Sequence, residues 1–303
     1  MRRTTELMHE GHNRRECEAS VMLKLNYTRR GSGAPLLLIH GTGSHWPVWQ
    51  PILDRLARER DVIAVDLPGH GGSPLLPPDL PPTPATFARV LADFLKELGL
   101  ASAHLAGNSV GGWTALEMAK NGHARSVTAL APAGLWRDQS PLYDRAYFRI
   151  SLILARLLGN AIPLITATGP GRRSFLGIVT AHSWQMSSED AADMITNFAR
   201  SPGILPHLRA TERERFTGGQ GITVPVTVAW GAKDRLLLPW QSRRHEELPP
   251  QTRWLTLPGC GHVPMYDDPT RVVRALLEGS DAASTISPFA REVSPSESDE
   301  QLR

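Results

Sequence analysis

The chain is 303 residues long, 41% hydrophobic and 21% charged, with a formal net charge of +3, a composition that fits a globular domain large enough to bury a core without disulfides or metal. Its two cysteines, Cys17 and Cys260, stand far apart and outside any CxxC or Cys/His cluster, which excludes a disulfide framework or a zinc finger and suggests a reducing, cytoplasmic setting. The arginines are scattered, with no Lys/Arg block, which argues against nucleic acid as a partner.

Residues 1–20 are polar and aperiodic, with no apolar run of the kind a signal peptide needs, and are expected to be a loose leader. Val21–Tyr27 alternates apolar and polar residues, the pattern of an edge strand. The short apolar runs Pro35–His40, Asp61–Asp66, Ala103–Gly107, Ser126–Ala131, Val224–Trp230 and Arg253–Leu257 lack alternation, as parallel strands buried on both faces do. Helical patterns separate them at Trp46–Arg60, Thr86–Leu98 (with Gly99 placed as its C-terminal cap), Val110–Lys120, Trp240–Glu247 and Pro269–Leu277. Strand alternating with helix predicts an α/β fold: a mostly parallel, doubly wound sheet. The alternation fails between residues 135 and 215, where only helical stretches occur, including Tyr143–Leu158 and Ser188–Arg200, the latter opened by Ser187 and Asp190 at capping-box spacing. A helical insertion there reads as a cap over a core made of residues 21–134 and 216–279. The most apolar window, Ile150–Gly169, is interrupted by Arg156, Asn160 and Pro163, so it is expected to cover a pocket and not to span a membrane. Residues 280–303 are rich in Ser, Pro and acids and are expected to be disordered. Oligomeric state is not legible.

The chemistry centres on Gly107-Asn108-Ser109-Val110-Gly111, which fits G-x-S-x-G directly after a strand and directly before a helix. A nucleophile at the tip of so tight a turn needs strained backbone angles and neighbours without bulk, which the glycines provide. A serine hydroxyl needs a base. His262 follows the last strand on a glycine-rich loop, and Asp234 ends the strand before it, so both arrive at the sheet edge where Ser109 emerges. Asp138 is an alternative position for the acid. The order Ser109, Asp234, His262 is the chain order of this type of hydrolase. An oxyanion needs preorganised N–H donors; His40-Gly41-Thr42-Gly43 follows a strand, so the Thr42 amide is expected to pair with that of Val110, with His40 holding the loop. No HExxH or paired-carboxylate cluster argues for a metal, and no dinucleotide or phosphate-loop fingerprint argues for a cofactor.

At "HGTG", "DLPGHGGS", "GNSVGG", "WGAKDRLLLP" and "GCGHVPMYDDP", from about Val21 to Gly279, the chain resembles the α/β-hydrolase superfamily, and within it the lid-bearing esterases, lactonases, perhydrolase-type enzymes and carbon–carbon bond hydrolases. The resemblance implies a catalytic Ser109, Asp234 and His262, a structural role for Asp66 and His70, and a small-molecule substrate. An aspartate at position 109 would have suggested dehalogenases or epoxide hydrolases. The carbon–carbon hydrolases are similar at "GNSVGG", but their Gly-Pro-Gly-Ala after the oxyanion loop is replaced by Gly43-Ser44-His45-Trp46, and the Trp after their catalytic His is Val263 here. The expected activity is therefore ester hydrolysis of a small to medium, apolar substrate. Lactone opening, perhydrolysis or carbon–carbon cleavage by the same residues, or a receptor that keeps the shell, are the alternatives. Gly41, Trp46 and Val263 are expected to touch substrate. Trp46, Trp49, Trp113 and Trp230 as a set read as packing, and Cys260 as a small filler.

Overall fold

A computed structural model describes residues 22–137, 140–238 and 244–285. Among them, seven strands form one sheet: β1 (Tyr27–Arg30), β2 (Pro35–Ile39), β3 (Asp61–Val65), β4 (Ala103–Asn108), β5 (Ala124–Leu130), β6 (Val226–Gly231) and β7 (Arg253–Leu257). Their spatial order is β1-β3-β2-β4-β5-β6-β7, and all pairings are parallel except β1 with β3. The register aligns the carboxyl ends: Ile39 lies opposite Gly107, Asn108 opposite Leu130, and Gly231 opposite Leu257. Every loop that leaves β2, β4, β6 and β7 therefore emerges along one rim, where open α/β sheets place their ligands.

The apolar runs are buried on both faces, as expected, in β2, β3, β4 and β6. Successive residues divide between two cores: Leu37 and Ile39 pack with α2 (Pro84–Glu97) and α3 (Val110–Lys120), while Leu36 and Leu38 pack with α1 (Gln50–Leu56) and α9 (Pro269–Thr285). Between β5 and β6 the described residues form helices and loops but no strand: α4 (Leu142–Leu158), α5 (Ile162–Thr166), α6 (Gly169–Leu176), α7 (Ser188–Arg200) and α8 (Ile204–Ala210). The Ser187 hydroxyl accepts from the Asp190 amide at the start of α7, the cap that the sequence spacing predicts.

Three departures from expectation go beyond a residue or two at the end of an element. The edge strand is expected at Val21–Tyr27, but ladder pairing begins at Tyr27. Leu25 is buried, so the alternation reports burial; the Asn26 carbonyl accepts the Asp66 amide, but the Asn26 amide donates to Ser73 Oγ, whose hydroxyl donates to the Asp66 carbonyl, so a side chain stands in for the second ladder bond. The helix expected over Trp46–Arg60 splits into a 3-10 turn (Trp46–Trp49) and α1, because Pro47 and Pro51 cannot donate backbone hydrogen bonds. The tail expected to loosen at 280 stays helical through Thr285, held by Arg60, which donates to Ser280 Oγ and pairs with Asp281. Cys17, Asp138 and residues 240–243 of the helix expected at Trp240–Glu247 lie outside the described residues; His245–Glu247 forms a 3-10 turn.

Candidate active site

Ser109 sits between β4 and α3 with φ 57° and ψ −119°, one of two non-glycine residues with positive φ among those described. Such a conformation is strained for any L side chain and persists only where the surroundings fix it. Here the surroundings are backbone. A methyl at Gly107 would lie 2.1 Å from the Gly111 carbonyl oxygen, and one at Gly111 would lie 2.0 Å from the Ile39 carbonyl oxygen. The turn can close only with glycine at both positions, and closing it lifts Ser109 above the sheet rim. The Ser109 amide donates to Leu130 O on β5, which locks the turn to its neighbour.

Asp234 and His262 come from the loops after β6 and β7. His262 Nδ1 lies 2.9 Å from Asp234 Oδ2, and both side chains are buried. The other carboxylate oxygen, Oδ1, accepts the Leu236 and Leu237 amides, each at 2.9 Å. With three bonds fixing the carboxylate, the imidazole donates from Nδ1, so that in the neutral ring Nε2 carries the lone pair. That Nε2 is buried without a hydrogen-bond partner, and His262 lines the same cavity as Ser109. Asn108 Nδ2 donates to the His262 carbonyl at 2.9 Å, tying the base loop directly to the residue before the serine. Asp267, which sequence reasoning does not single out, holds the loop from the other side. Its carboxylate accepts the amides of Gly261, Ala181 and His182.

The loop after β2 is built for close approach. A methyl on Gly41 would meet Ser109 Cβ at 3.1 Å. Gly41 O accepts the Ser44 amide across a turn whose third residue, Gly43, has φ 72°, so the turn itself consumes no N–H of Thr42. Across from it, Val110 opens α3, where first-turn amides have no partner within the helix. His40 is structural: Nδ1 donates to Gly41 O and Nε2 accepts the Leu67 amide, and burial pushes its pKa down to about 3, so it stays neutral. Asp66 likewise braces loops, accepting from the Trp46 and Gly72 amides. Cys260 is buried, and burial raises its thiol to about 12, which leaves no thiolate.

The cavity measures about 100 Å³, space for several water molecules. Gly41, Thr42, Asn108, Ser109, His262 and Val263 form its floor, and α4, α6 and α7 supply most of its walls, mainly with apolar side chains. Trp46, expected to touch substrate, is not among the lining residues. Its amide is bonded to Asp66 and its ring packs against the β2-α1 core, so the indole is spent on the fold. Val110 contributes no lining surface either, leaving only its amide to reach a ligand.

The insertion supplies what sequence reasoning missed. Tyr147, Phe148 and Ser151 of α4, Phe175 of α6, and Met194 and Phe198 of α7 line the cavity. The helical periodicity of α4 could have singled out the first three as one face. Asp144 stands one turn before them on that face. It is buried, neither of its oxygens has a hydrogen-bond partner, and burial lifts its pKa to about 7, with His262 and Asp234 close enough to act on it. Asn197 Nδ2 donates to Gly43 O, joining α7 to the loop after β2. Among the described residues no group of three or more His, Cys, Asp or Glu side chains is placed to hold a metal ion.

A family model described as the alpha/beta hydrolase family matches residues 36–275. The chain belongs to that family. It is 31% identical over 211 residues to "Epoxide hydrolase EphH" of Mycobacterium tuberculosis, covering 62% of this chain and 92% of that protein. Among solved structures it is similar to a thermophilic esterase from Thermogutta terrifontis, with 24% identity, TM-score 0.67, and 84% and 92% of the two chains covered. It is equally similar in shape to the enol-lactonase from Burkholderia xenovorans, with 20% identity, TM-score 0.67, and 84% and 96% covered. At these identities the two structures establish the fold. This hydrolase thus has a small-molecule cavity at the rim of its sheet, roofed by its helical insertion.

Proposed function

We propose that this hydrolase is a cofactor-independent serine esterase acting on carboxylic esters with a small, apolar acyl group. One observation carries the reading. His262 is held at Nδ1 by a fully bonded carboxylate, its Nε2 is buried without a hydrogen-bond partner, and His262 and Ser109 line one cavity. In that arrangement His262 Nε2 removes the Ser109 proton as Oγ attacks the acyl carbonyl, and Asp234 stabilises the imidazolium that forms. The Thr42 and Val110 amides receive the oxyanion. The ester C–O bond breaks as His262 returns its proton to the leaving alkoxide, and water, deprotonated by the same nitrogen, then releases the acid from Ser109. The helical insertion acts as a cap that excludes bulk water and selects the acyl group.

Serine at position 109 also bears on the likeness to an epoxide hydrolase. Opening an epoxide with an alkoxide would leave an alkyl ether on the enzyme, with no carbonyl for water to attack. A carboxylate nucleophile would leave an ester that water can hydrolyse. A Ser109 enzyme turns over only where the covalent intermediate is an acyl group, which esters, lactones and vinylogous diketones all provide.

The test is hydrolysis of a chromogenic short-chain ester by the full chain and by Ser109→Ala. The variant should lose activity by at least about 10³-fold with its thermal midpoint unchanged, and only the wild type should be labelled by a fluorophosphonate. Activity retained in Ser109→Ala, or no labelling of the wild type, would overturn the reading and favour a receptor. Faster turnover of a lactone or a vinylogous diketone than of the ester would keep the residues and change the substrate.

A further inference from the structure

Helix α4 is apolar on two opposite faces, and among the described residues only one of them is packed. Tyr147, Phe148, Ser151 and Ala155 face the cavity. The opposite arc carries Leu142, Ile150, Ile153 and Leu157 in one stripe, with Tyr143 and Leu154 beside it, and Leu157 and Ile153 are 78% and 58% exposed. Monomeric soluble proteins seldom expose so continuous an apolar stripe without a use for it. Leu142–Thr166 is long and apolar enough, by length and composition, to cross a membrane. Its inner face, however, is committed to the cavity, so the segment can meet lipid only from one side.

Charge says which surface covers it. From Leu142 to Gly177 the one acid is Asp144, which is buried on the inner face, whereas Arg149, Arg156 and Arg173 are exposed. Arg149 and Arg156 run along one edge of the apolar stripe, and Arg200 of α7 shares a shallow pocket with Arg156. The exposed acids of α7, Glu189 and Asp193, line a separate pocket with Pro163 and Ala167, and Asp193 is bonded to His45, while Glu212, near the start of α4, is paired with Arg145. A second copy of this face would bring apolar area but no acid for the arginines. An anionic lipid surface offers both: acyl chains for the leucines and isoleucines, and phosphates for the arginines at headgroup depth.

We propose that the outer face of α4 is a docking site for anionic lipid membranes, which holds the cap of this hydrolase at the interface. The site stands apart from Ser109, so its failure and the failure of the esterase reading are distinguishable. The experiment is sedimentation of the full chain with vesicles of phosphatidylcholine alone and with phosphatidylglycerol added. Binding should require the anionic lipid and weaken with salt. The double variant Ile153→Ser with Leu157→Ser should bind at least tenfold more weakly, and so should Arg149→Gln with Arg156→Gln. Both substituted pairs lie on the surface, so hydrolysis of a water-soluble ester should be unchanged, and Ser109→Ala should bind as wild type does. No binding to either vesicle, binding indifferent to phosphatidylglycerol, or a concentration-dependent dimer that the Ile153 and Leu157 substitutions dissolve would each overturn the proposal.

Discussion

The two walls of the cavity are built on different principles. On the sheet side every functional group is fixed by hydrogen bonds or close backbone contact: Asp234 by two amides and an imidazole, the His262 loop by the Asn108 and Asp267 side chains, and the Ser109 turn by glycines that tolerate no methyl. On the insertion side the lining is held largely by packing, in clusters of its own, and one turn ahead of the α4 lining residues lies a buried carboxyl, Asp144, with no hydrogen-bond partner. On the proposed reading the rim sets what chemistry is possible, and the insertion sets which molecule reaches it. The contrast can be broken by substitution on each side.

The largest effect belongs to the sheet side. Asp234→Asn keeps the shape but offers His262 an amide donor where it had an acceptor. The imidazole proton then moves to Nε2, which can no longer take one from Ser109. A loss of about 10⁴-fold in kcat is expected, with KM and fold little changed, read by steady-state kinetics on a chromogenic ester. A loss below tenfold would place the acid elsewhere, Asp138 included.

Next comes Asp144. Its pKa of about 7 in the folded protein stands above the ordinary aspartate value of 3.8, so the folded state holds a proton that the unfolded chain releases. Stability from this group is fully present below about pH 4 and is lost as pH rises through about 7. Asp144→Asn removes the charge that must otherwise be buried. The variant should unfold with the same free energy as wild type at pH 4 and exceed it by up to roughly 4 kcal/mol at pH 8. Denaturant titrations at the two pH values check this, and equal stability at pH 8 would mean that Asp144 finds a partner or solvent.

The same contrast decides what could be read from sequence. Ser109, Asp234, His262 and the loop at Thr42 were legible because each depends on a local demand: a strand end, a glycine where a methyl cannot fit, a short loop back to the rim. The length of β7 and of α3 was legible for the same reason, as runs with clear ends. Asp144 and Phe175 were not legible. A carboxylate at the start of an exposed-looking helix usually serves the helix dipole, and only the docking of α4 onto the sheet rim buries this one beside His262. Proline misled in the other direction at Trp46–Arg60, where an apolar period ran through two residues that cannot donate. Trp46 stands close to the Gly41 loop in sequence, which suggests a substrate role, but it is not among the residues that line the cavity.

Phe175 and Trp46 carry the comparison to its smaller effects. Phe175 reaches the cavity from α6, so Phe175→Ala should lower kcat/KM for a butyrate ester by about tenfold, the worth of one or two methylenes no longer held against an apolar wall. The acetate ester, too short to meet that wall, should change much less, and equal losses on both would make the residue structural. Trp46 is the control on the other side. It follows the Gly41 loop in sequence, yet its ring faces the β2-α1 core and its amide is committed to Asp66. Trp46→Phe keeps an aromatic ring on that core and leaves the amide in place, so kcat/KM should stay within about twofold for every ester while the thermal midpoint falls by a few degrees. A selective loss on larger esters would return the indole to the substrate, and the division between a chemical rim and a selective insertion would no longer hold.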